Sequence, residues 1–337
     1  MPASRLTCLL LTACVTLLSA CGGPQVKTPP PTTTVVPPPS VTAKPVVIGL
    51  ALGGGAAKGF AHIGVIKMLE ANGIKPDVVA GTSAGSVVGA LYASGMDVFQ
   101  LQEKAVALDE SSIRDVRLFS GGLVQGRALQ DYVDAQVHDT PMQKLKKPFV
   151  AVSTRLEDGQ RTFFNYGDTG QAVRASSSIP GVFEPVSIGK YHYVDGGVVS
   201  PVPVDAAKQL GADFVIAVDI SSKASGTMPE GMLGIVNQSI AIMGQHAGRE
   251  ELARADVVVR PQVSDIGPAD FTQRSAAILA GEKAALAAMP QIKARLAQLR
   301  HERAAAAAAA AQPKAPPCEA PSRLQRLMGR ASPCPAQ

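Results

Sequence analysis

Cysteine is missing from the whole middle of this 337-residue chain: Cys8, Cys14 and Cys21 stand near its start, Cys318 and Cys334 near its end. That distribution leaves no thiolate for a cysteine nucleophile or a zinc site in the central region. A strong charge of either sign is missing too. The formal net charge is +5, compatible with anionic lipid surfaces but far below the footprint of a nucleic-acid-binding chain. No cluster with metal-ligand spacing is visible, so neither calcium nor another cofactor is expected. Leu6 to Leu18 is apolar but too short to span a bilayer. There is no internal repeat.

What is present starts with a targeting segment. Arg5 supplies a positive n-region, Leu6–Leu18 an apolar stretch, and Leu18-Ser19-Ala20-Cys21 a run of small residues ending in cysteine. This resembles a bacterial lipobox, which implies cleavage after Ala20 and lipidation of Cys21. Ordinary secretion or an uncleaved anchor are the alternatives. Gly22, in place of Asp, leans toward the outer membrane by the same resemblance, giving a lipid-anchored protein of the cell envelope. Residues 21–45 form a Pro/Thr-rich tether, with eight prolines between Pro24 and Pro45. Such a composition favours extended polyproline conformations of about 3.1 Å per residue. Cys318 and Cys334 lie in a Pro-rich tail, residues 301–337 counting the end of an Ala-rich helix, and can pair in an oxidising compartment.

Residues 46–300 read as one globular domain. Val46–Leu52, Pro76–Ala80, Phe149–Thr154, Arg161–Phe164, Phe214–Val218 and Val257–Val259 read as strands. Between and after them, helices are predicted over Lys58–Ala71, from the end of the Gly81–Gly85 stretch to about Ser94, and over Val98–Leu108, Arg127–Val137, Met232–Ala255 and Ser275 to about Ala311. Strands alternating with helices predict a layered α/β fold with a largely parallel sheet.

Three glycine-bearing stretches carry the candidate chemistry. Gly81-Thr82-Ser83-Ala84-Gly85 sits between a strand and a helix, the setting a G-x-S-x-G nucleophile elbow requires. The alternative is a serine that merely caps the helix. Gly53-Gly54-Gly55-Ala56-Ala57-Lys58-Gly59 follows the first strand and fits neither the Walker nor the Rossmann spacing. Its unhindered amides instead suit an oxyanion hole, Gly53, Gly54 and Gly55 on one side and Ala84 on the other. Lys58 adds positive potential for a phosphate head group or packs at the helix start. Tyr193-Val194-Asp195-Gly196-Gly197 sets a carboxylate in a tight loop. Of five histidines, His62 reads as a packed core residue. His138 falls at a helix end, His301 in the exposed Ala-rich helix, and His192 points away from Asp195. His246 is the sole candidate for the third member of a triad.

These three stretches, in this order, resemble the patatin-like phospholipase family. So do Ala61-His62-Ile63-Gly64-Val65, Ala175-Ser176-Ser177-Ser178-Ile179-Pro180-Gly181-Val182-Phe183 and Pro201-Val202-Pro203-Val204. The similarity covers about Val46 to Asp219. It implies a three-layer α/β sandwich, a Ser83–Asp195 dyad with Asp195 as base, and a phospholipid or other acyl-ester substrate. The chain departs from the family at Ser200, where Asn is frequent, and at Lys58, where Arg is commoner. General carboxylesterase or thioesterase activity is the enzymatic alternative, and a non-catalytic envelope adaptor the alternative of another class.

Overall fold

The computed structural model describes residues 43–109, 113, 115, 124–221, 226, 228–229, 231–311 and 327–328. The expected signal segment, Cys21, the expected tether up to residue 42, Gly121–Leu123, Cys318 and Cys334 lie outside these.

The apolar run Ile48–Leu52 becomes β1, with all five residues buried, as expected of a strand covered on both faces. β1 sits inside an eight-stranded sheet of order β5-β6-β3-β2-β1-β7-β8, with β4 also paired to β3. The strands are β2 (Val78–Thr82), β3 (Phe149–Arg155), β4 (Arg161–Phe164), β5 (Val186–Ile188), β6 (Tyr191–Asp195), β7 (Phe214–Val218) and β8 (Val257–Val259). The neighbours from β8 through β7, β1 and β2 to β3 are parallel. Pairings of β3 with β4, β3 with β6 and β5 with β6 are antiparallel. The sheet is therefore largely parallel, as the alternation predicts.

Successive strand residues point to opposite faces, and this builds two cores. Leu50, Leu52, Val79, Phe149, Ile216 and Val218 join residues of α1 (Phe60–Ala71), α2 (Ala84–Ala93) and α8 (Arg274–Ala311). Ala51, Ala80, Val150, Val152, Val215 and Ala217 join α6 (Val204–Gln209), with Leu252 of α7 (Gly231–Leu252) at the margin. A sheet between two helical layers is a three-layer sandwich. The remaining helices are α3 (Val98–Ala107), α4 (Arg127–Gln136) and α5 (Thr169–Ser176). α1 and α8 cross at glycines: a methyl on Gly64 would run into the Ile278 carbonyl, and one on Gly281 into the Ala61 carbonyl.

Register places the chemistry. Leu52 pairs with Gly81 and with Val218, and Thr82 pairs with Val152. The glycine loop and Ser83 thus leave the carboxyl ends of adjacent parallel strands, where α/β sheets hold their sites. Ser153 pairs with Asp195, so Asp195 and Ser83 flank β3 at one level. Asp195 is the last residue of a strand, not a loop residue, a correction imposed by its ladder to β3. The first helix also begins later than expected: Ala56–Gly59 is a 310 turn and α1 starts at Phe60.

Candidate active site

Ser83 occupies the N-cap position of α2 with φ 53° and ψ −126°, a conformation that costs a non-glycine residue of order 1–3 kcal/mol. The surroundings enforce it. A side chain on Gly81 would strike the Gly85 carbonyl and Ser86, and one on Gly85 the Leu52 carbonyl. Ser83 N–H donates to Ser176 Oγ at 3.0 Å, and that hydroxyl donates to Val152 O at 2.6 Å. The Ser83 carbonyl accepts from Ser86 N–H at 2.7 Å and Ser86 Oγ at 2.6 Å. The Ser83 side chain makes no capping hydrogen bond, so the helix-cap alternative does not describe it. Its hydroxyl is left for another use.

Asp195 is 6 % exposed, and its backbone is held on both sides. Its N–H donates to Ser178 O at 2.8 Å, and its carbonyl accepts from Thr154 Oγ1 at 2.9 Å. Gly196 has no room for a side chain, which would run into the Val152 carbonyl. One carboxylate oxygen, Oδ1, accepts from Gly197 N–H at 2.7 Å. Burial raises the carboxyl pKa from 3.8 to about 6, against the lowering effects of the Ser83 hydroxyl and the Gly197 amide. Ser83 is thus near enough to act on the carboxyl, yet Oδ2 has no partner of full hydrogen-bond geometry. Pairs of nucleophile and base often align fully only around a substrate. A carboxylate titrating near 6 is a far better proton acceptor than an ordinary one.

The glycine loop divides its amides. Gly53 N–H donates to Val218 O at 3.0 Å and Gly54 N–H to Pro201 O at 2.9 Å. Both are already occupied, which removes Gly53 and Gly54 from the four expected donors. Among the described residues, Gly55 and Ala84 N–H have no such partner. Gly55 is hemmed in by Ile220, and Ala84 opens α2, so both lie where a helix or 310 turn begins. That setting favours negative charge. Lys58 is buried at 6 % exposure, and desolvation lowers its pKa. Of the two readings of Lys58, this burial favours packing at the helix start, since an ammonium withdrawn from solvent must leave its contacts to meet a phosphate.

No histidine completes a triad among the described residues. His246 is exposed on α7, with Nδ1 3.5 Å from Arg249 Nη2. His192 is exposed and pairs with Glu157 at 2.7 Å. His62 is fully buried, with Nε2 2.8 Å from Gly53 O; desolvation lowers its pKa to about 4 despite that bond. Ser176-Ser177-Ser178 has no role legible in the sequence. Ser176 proves to anchor the elbow, and the buried hydroxyls of Ser153 and Ser177 are unpartnered. The departure at Ser200 also has a place: its carbonyl accepts from Thr82 Oγ1 at 2.8 Å, and its hydroxyl donates to Glu251 Oε2 at 2.7 Å.

The chain resembles known proteins in sequence and in fold. An uncharacterised NTE-family protein of Mycobacterium tuberculosis is 31 % identical over 269 residues, covering 72 % of this chain and 46 % of the relative. The lysophospholipase nte1 of Aspergillus fumigatus is 34 % identical over 187 residues, covering 52 % of this chain and 12 % of the relative. The chain thus spans about half the length of the mycobacterial relatives it matches, and far less of the fungal one. The crystal structure of VipD from Legionella pneumophila shares the fold at a TM-score of 0.52 and 14 % identity, covering 75 % of this chain and 68 % of that one. Residues 50–208, which hold both Ser83 and Asp195, match the patatin-like phospholipase model, and the chain belongs to that family.

Proposed function

We propose that this protein is a serine lipid acyl hydrolase working through a Ser83–Asp195 pair. The carrying observation is the buried Asp195 carboxyl, raised to about 6, with an unpartnered oxygen beside an uncapped serine in a left-handed elbow. Ser83 Oγ attacks the acyl carbonyl carbon as Asp195 takes its proton. The Gly55 and Ala84 amides hold the oxygen that becomes negative; one such donor typically contributes ~2.7–4 kcal/mol. Collapse releases the alcohol, which leaves with the proton from Asp195, and the acyl group stays on Ser83. Asp195 then deprotonates water, which attacks the acyl-enzyme, frees the fatty acid and returns a proton to Ser83.

Phospholipid or lysophospholipid is the proposed substrate class, supported by the family and by the fungal relative's name. Lipid anchoring at Cys21, on the 21–45 tether at the outer membrane, belongs to the same proposal and places the enzyme at its substrate. Labelling with a fluorophosphonate, together with fatty-acid release from defined phospholipids and from a short-chain ester, tests the reaction. Wild type is expected to react and Ser83→Ala to lose both activities. Full turnover in Ser83→Ala would overturn the reading, and turnover of short-chain esters alone would move the substrate class. Fatty-acid incorporation that vanishes in Cys21→Ala tests the anchor.

A further inference from the structure

One buried histidine takes no part in the reaction above, yet it touches the loop that does. His62 lies in the first turn of α1, fully buried, and its Nε2 is 2.8 Å from Gly53 O. Nδ1 has no partner, so the ring proton belongs on Nε2, donated to that carbonyl. The same peptide unit carries Gly54 N–H, which donates to Pro201 O at 2.9 Å, while Gly53 N–H donates to Val218 O at 3.0 Å. Two successive peptides are thereby fixed, and the next amide, Gly55 N–H, is the one left over.

We infer that His62 is a positioning residue for the oxyanion cradle: by holding the Gly53 carbonyl it sets the direction of Gly55 N–H. This rests on the hydrolase reading above. Packing alone does not account for the side chain, because an imidazole with an orphaned Nδ1 carries a desolvation cost that an aliphatic residue would not. The Gly53 carbonyl, by contrast, needs a donor, and α1 offers one only here among the described residues. A glycine loop has the most backbone freedom of any sequence. Fixing it from two sides is what an oxyanion site needs, since donors must be placed before charge develops. The anchor from Pro201 comes from the far side of the chain, that from His62 from the helix the loop itself opens.

The test uses the full-length protein as wild type, His62→Met, His62→Gln and Ser83→Ala. Methionine fills similar space without a donor, whereas the glutamine amide restores a donor at comparable reach. His62→Met is expected to lower kcat on a short-chain ester by roughly tenfold to a hundredfold, less than outright loss of a donor. KM is expected to stay within about twofold and His62→Gln to recover most of kcat, because only the charged intermediate uses the cradle. A kcat in His62→Met within twofold of wild type overturns the proposal. So does a parallel loss in both variants accompanied by a rising KM and falling Tm, which marks a packing role. Hydrogen exchange over residues 53–56 supplies a reading independent of turnover. Faster exchange in His62→Met, restored in His62→Gln, supports the proposal, and unchanged exchange overturns it. If the wild type neither labels nor turns over ester, the hydrolase reading fails and the exchange result alone decides the role of His62.

Discussion

Asp195 ties stability to chemistry at a single residue. Its folded pKa of about 6 exceeds its ordinary 3.8 because burial penalises the charge. The folded state therefore holds a proton that the unfolded chain has released between these values, and stability falls as pH rises through that window. Asp195→Asn removes the charge. At pH 8 it is expected to be more stable than wild type by on the order of 2–3 kcal/mol, with the difference vanishing below about pH 4. On the proposed mechanism the same charge is the base, so kcat/KM of the wild type is expected to rise with pH around 6 and to be lost in the variant. Thermal melts and pH–rate profiles of the two proteins check both statements. Gly55→Ala is expected to cost about 10²–10³ in kcat, since the added methyl meets Ile220 and displaces the amide; single-turnover acylation measures it. Ser83 and Asp195 were legible in the sequence because Ser83 stands between Gly81 and Gly85 and Asp195 is followed by Gly196-Gly197, glycines that a tight chain path demands. The division of the loop amides was not. It depends on carbonyls of Val218 and Pro201, about 150 residues away, and no local pattern announces such partners.

Among elements, legibility followed length and regularity. The long strands and helices stand where period and punctuation place them, down to α8 ending at Ala311. The unforeseen ones are short: β5 has three residues, α6 six and α5 eight. α5 contains Gly170 and Ser176, poor helix formers, and is held by Asp168 capping Gln171 N–H and by Gly170 N–H donating to Asp134. Tertiary contacts override weak propensity there. The glycine crossing of α1 and α8 is the most demanding packing between helices. Gly64→Ala and Gly281→Ala are each expected to lower stability by about 1–3 kcal/mol or more, although alanine raises helix propensity. Urea midpoints decide the matter: an unchanged or raised midpoint would mean the helices can part without loss.

At the scale of the molecule, the described residues from Ala43 onward fall in one compact unit. A chain starting at Thr42 is expected to melt with the wild type and to turn over a soluble ester at the wild-type rate. Circular dichroism and ester assays compare them, and a tenfold loss would show that the first 41 residues contribute to turnover. The unit is closed by distant strands. β1 pairs with β7, Val47 N–H donates to Asp213 Oδ2 at 2.9 Å, and Arg303 reaches both Asp213, at 2.5 Å, and Pro45 O, at 2.9 Å. Ladders of such long range form late, after the costly closure of their loops. The order of the residues along the chain then matters during translation. Ser83 leaves the ribosome more than a hundred residues ahead of Asp195, and β7, which sits beside the glycine loop, emerges later still. A half-made chain lacks Asp195, so on the proposed mechanism the serine stays inert until synthesis has passed residue 218.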